Sequence, residues 1–202
     1  MAGPRAVDPN QVYRLFPGVY RRYTELPDLV EARAEPVVLF PGSSDTPVVE
    51  VAAADMTVTQ QGEEAVQQAV IEVIDRCAAA TDAAVLGCPF GVNEFSRVPA
   101  GDDSIARFTA VDRTVEDYPE VTADPDGGDL VVVDRRAGTV TLTVSGHPAG
   151  GGSRLTGTIT CPIRAGGLRL GIDVTGSVVP AQSVNGWSTD DPLFDMDIDD
   201  CR

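Results

Sequence analysis

Between residues 63 and 81 the apolar positions fall at helical spacing. Val66, Ala69, Val70, Val73, Ile74 and Cys77 form one continuous stripe, and Gln67, Gln68, Glu72, Asp75 and Arg76 take the opposite face. Glu63 and Glu64 lie in the first turn, where the helix dipole favours acids. This is the one strong helical pattern, and it places Cys77 in the core at the helix end. Before it, the chain reads as short strands broken by turns: residues 29–34, 37–40, 47–53 and 56–59, with breaks at Phe16-Pro17-Gly18 and Pro41-Gly42-Ser43-Ser44. Pro27, Pro36 and Pro47 suit strand starts or edges, because proline cannot donate to a ladder.

After the helix, residues 93–103 read as a loop, and from Ile105 the pattern changes to long alternation. Residues 130–134 and 139–145 flank a turn at Arg135-Arg136-Ala137-Gly138. Val140, Leu142 and Val144 face one way and Thr139, Thr141 and Thr143 the other. Leu155, Ile159, Cys161 and Ile163 repeat the pattern opposite Thr156, Thr158 and Thr160, and Leu168, Leu170, Ile172, Val174 and Val178 share a further face. The pattern predicts an α+β fold in two parts. A small β-rich domain spans residues 1–60. An α+β domain spans residues 61–202, with the amphipathic helix packed on a curved antiparallel meander. Phe194, Met196 and Ile198 alternate with Asp195, Asp197 and Asp199, which predicts a last edge strand.

The four cysteines, Cys77, Cys88, Cys161 and Cys201, form an even set with no close pair, and the single histidine, His147, is remote from all of them in sequence. Zinc sites usually bring thiolates together in C-x-x-C spacing, so two disulfides fit better than a metal site, a catalytic thiol or four buried thiols. Three connectivities are open, of which Cys77–Cys88 and Cys161–Cys201 are preferred. In the chain-entropy model loops of those lengths stabilise by roughly 3 and roughly 4 kcal/mol. The second bond would also tie down a terminus that otherwise frays. Persistent disulfides imply an oxidising compartment and hence export, to the outer face of the membrane or beyond it.

Charge narrows the partners. The 202-residue chain carries 15 basic and 31 acidic residues, a net charge of −16, which opposes binding to nucleic acid and to anionic lipid. All the basic residues are arginine, which fits a high-GC genome. With 43% hydrophobic but only 5% aromatic residues, the core must be largely aliphatic. No stretch reaches the roughly 20 apolar residues of a membrane span, and no charged-then-apolar leader opens the chain. If the protein is exported, its signal or membrane anchor is expected outside this sequence.

Candidate chemistry is sparse. Asp195, Asp197 and Asp199 have the spacing that opens a calcium loop, but Asp200 stands where such a loop needs glycine and the bidentate glutamate is missing. His147 sits in the turn Gly146-His147-Pro148. Gly150-Gly151-Gly152 lies between strands and lacks the Gly-Lys-Ser/Thr of a phosphate loop. Trp187 is either a core or loop anchor or a contact for a partner. No catalytic, cofactor-binding or metal-ligating set is assigned.

Asp75-Arg76-Cys77, Cys88-Pro89-Phe90-Gly91, Tyr118-Pro119 and an early Pro17-Gly18-x-Tyr20 together resemble the ectodomains of uncharacterised actinobacterial single-pass membrane proteins, over roughly residues 15–180. The helix-plus-sheet half looks NTF2-like. The resemblance implies a membrane-anchored protein and supplies no catalytic residues. The reading is then a non-enzymatic extracytoplasmic domain of the cell envelope that binds a protein or glycan. The alternatives are a hydrolase using an acid pair in a pocket of the C-terminal sheet, or a structural spacer.

Overall fold

The computed structural model describes residues 18–20, 26, 28–33, 36–39, 55–81, 88–92, 96–126, 129–173, 175–180 and 201. Four short strands come first: β1 (Gly18–Tyr20), β2 (Val30–Arg33), β3 (Val37–Leu39) and β4 (Asp55–Val58). They pair in an interleaved order, β1 with β3 and β2 with β4, both antiparallel. The strand expected at residues 47–53, the final strand carrying Asp195, Asp197 and Asp199, and Trp187 lie outside the described residues.

The helix α1 (Gln60–Ala78) starts one turn earlier than the periodicity predicts. The cause is Thr59, whose hydroxyl accepts from the Gly62 amide at 3.0 Å and donates to the Asp28 carbonyl at 2.6 Å. Gly62 is required where it stands, because a Cβ there would collide with the Leu29 carbonyl. The predicted stripe is the buried face, and Val66, Val70 and Ile74 are fully buried.

The rest is antiparallel β: β5 (Val98–Ala100), β6 (Asp103–Ile105), β7 (Arg107–Asp117), β8 (Glu120–Asp126), β9 (Asp129–Arg136), β10 (Gly138–His147), β11 (Leu155–Ile163), β12 (Arg169–Ile172) and β13 (Val178–Pro180). The predicted loop at residues 93–103 holds β5 and the start of β6, a small hairpin whose Val98 and Ile105 are fully buried. Gly157 on β11 and Gly146 on β10 admit this corner of the fold: a Cβ at either would run into the carbonyl of Pro99 or of Arg107.

Two expectations are corrected. The long strands do not run as a simple meander. β8 pairs with β9, while β7, which precedes β8, pairs with β10, which follows β9. The chain passes from β9 to β10 through Ala137 alone, and residues 135–138 change sheets there instead of closing a hairpin. Nor do the strands make the curved sheet of an NTF2-like fold. They form a three-stranded sheet, β11-β10-β7, and a four-stranded sheet, β13-β12-β9-β8, neither of them closed. The α+β class stands; the curved sheet and the NTF2-like likeness do not. The physical reason lies at residues 117–120 and 136–139. Pro119 offers no amide to a ladder, and the registers slip between Glu120 and Val121 and between Thr139 and Val140. Gly138 is pressed so close to the Asp117 carbonyl and to Pro119 that no side chain fits.

Arg136 bridges this junction, donating to Asp117 on one side and, at 3.0 Å, to Glu120 on the other. The helix, the inner faces of both large sheets, the β5–β6 hairpin and Val30 share one buried apolar cluster. Along β8, an edge strand of its sheet, α1 supplies the missing neighbour. The Gln67 amide donates to the Pro119 carbonyl at 3.0 Å and accepts from the Val121 amide at 3.1 Å, much as a paired strand would. Glu63 accepts from Thr122 and from Arg135, both at 2.8 Å.

Candidate interaction face and disulfides

All four cysteines are consumed in two disulfides, Cys77–Cys88 and Cys161–Cys201, and no free cysteine is left. The Cα separations are 5.6 and 4.2 Å. Cys77, Cys88 and Cys161 are buried. The first bond fastens the C-terminal turn of α1 to the segment that leads to Phe90, itself buried in the core. The second fastens the penultimate residue of the chain to the inner face of β11.

Period-two alternation turns one side of the β11-β10-β7 sheet to the core and the other outward. Register sets the outward residues in rows across the strands: Thr160, Thr141 and Thr114; then Thr158, Thr143 and Asp112; then Thr156, Ser145 and Ala110; Pro162, Thr139 and Asp117 continue the face at one end, and His147 and Arg107 at the other. The β11 threonines are exposed, and Thr141, Thr143 and Ser145 on the central strand β10 are half-buried because each has neighbours on both sides. Cross-strand hydroxyl contacts join Ser145 to Thr156 at 3.1 Å and Thr141 to Thr160 at 3.5 Å. Arg107, Asp112 and Asp117 are the charged residues of these rows.

The outward face of the other large sheet is different. Its nine positions are Thr122, Asp124, Asp126, Asp129, Val131, Val133, Arg169, Gly171 and Val179, of which four are charged. Arg169 donates to Asp126 at 2.8 Å and to Asp129 at 3.5 Å.

Among the described residues two acid pairs are bridged by arginine: Asp126 and Asp129 by Arg169, Asp117 and Glu120 by Arg136. Hydrogen bonding from Arg136 holds the Asp117 carboxyl below the usual carboxylate range. Asp173 is lowered as well, chiefly by the Thr175 hydroxyl, with the Ser177 and Thr175 amides adding to it. The phenol of Tyr118 is pushed up by its hydrogen bond to Asp75 at the end of α1. His147 ends β10 with Nδ1 3.1 Å from the Gly152 carbonyl, which ties the ring to its own turn. Among the described residues no three His, Cys, Asp or Glu side chains gather as metal ligands, and no helix is long and apolar enough to cross a membrane.

The alternation along β10 and β11 marks the threonines as a wet face and singles out no site among them. The available signal was the run of alternate threonines on two strands. The register that stacks them in rows, and the contrast with the second sheet, needed the fold.

Compared with protein families, with curated proteins and with solved structures, the chain matches none. The resemblance to actinobacterial ectodomains thus finds no support and is withdrawn together with its NTF2-like part.

Proposed function

We propose that this chain is an extracytoplasmic domain of a cell-envelope protein that binds a protein or glycan partner without catalysis. The observation that carries the proposal is the use of every cysteine in a disulfide, with three of the four half-cystines buried. Such bonds form and persist outside the reducing cytosol. The net charge of −16 argues against nucleic acid and anionic lipid as the partner. A hydrolase built on an acid pair needs one carboxyl raised so that it can donate a proton. Asp117, in a carboxylate pair held by arginine, is instead lowered.

Protease treatment of intact cells of the native host tests the location. Digestion of the chain without lysis is the expected result. Protection in intact cells, with digestion only after the cytoplasm is opened, would overturn the proposal.

A further inference from the structure

We draw no further inference here: the strongest candidate, the basic end of the β11-β10-β7 sheet where Arg107 and His147 lie side by side next to the Gly150-Gly151-Gly152 turn, is a surface patch, and nothing in the structure shows what covers it.

Discussion

Single residues decide where this chain can pack. Gly157 and Gly146 are the clearest cases, because the β5–β6 hairpin and the start of β7 approach the sheet at positions where no Cβ fits. Gly157→Ala is expected to destabilise by about 1–3 kcal/mol through overpacking, read as a lower urea midpoint. An unchanged midpoint would mean that the Pro99 segment moves aside without strain. Gly171, beside which a Cβ would meet nothing within 4 Å, is the matched control. Asp173 and Asp117 make stability sensitive to acid. Both have folded values below the unfolded one, so what they contribute is fully present above the unfolded pKa, about 3.9, and is lost as pH falls through the folded value. Urea midpoints should therefore hold level from neutrality to about pH 5 and fall below it. Asp173→Ala should make that fall shallower, and a slope identical to wild type would contradict the assignment.

At the scale of elements, the two large sheets avoid open edges by different means. β8 is covered by the Gln67 amide. β7 carries bulges and the charged residues Arg107, Asp112, Glu116 and Asp117, devices that discourage pairing with another chain. Gln67→Leu removes both edge hydrogen bonds at once. We expect a loss of about 1–3 kcal/mol and faster amide exchange at Val121, measured by hydrogen–deuterium exchange. Protection at Val121 equal to wild type would show that the edge does not depend on Gln67.

The helix was legible because its apolar stripe is unbroken, and the alternation in β10 and β11 was legible for the same reason. The β5–β6 hairpin was not, since Pro99, Gly101 and two adjacent aspartates read as loop while Val98 and Ile105 alone carry its burial. Sheet partition was also hidden. Period-two alternation runs through residues 139–145 whichever strand lies alongside, so it could not tell a hairpin at residues 135–138 from a change of sheet. The edge role of Gln67 left no trace either, because a glutamine on a polar helix face looks solvated.

For the whole molecule, the disulfides and the core do separate jobs. The core cluster unites the helix with both large sheets, while the Cys161–Cys201 bond fastens a penultimate residue 40 positions away in sequence to β11. Replacing both of these cysteines by Ser should cost about 4 kcal/mol in the chain-entropy model, seen in chemical denaturation. A loss below about 1 kcal/mol would place the stabilising effect of that loop elsewhere. The cysteines also carry the account of where the protein works, and that is the claim on which the binding role depends. The most direct test is intact-mass spectrometry of the chain isolated from its native host under acid quench, alkylated with and without prior reduction. The account predicts no alkylation before reduction and alkylation of all four cysteines after it. Four cysteines alkylated without reduction would contradict it.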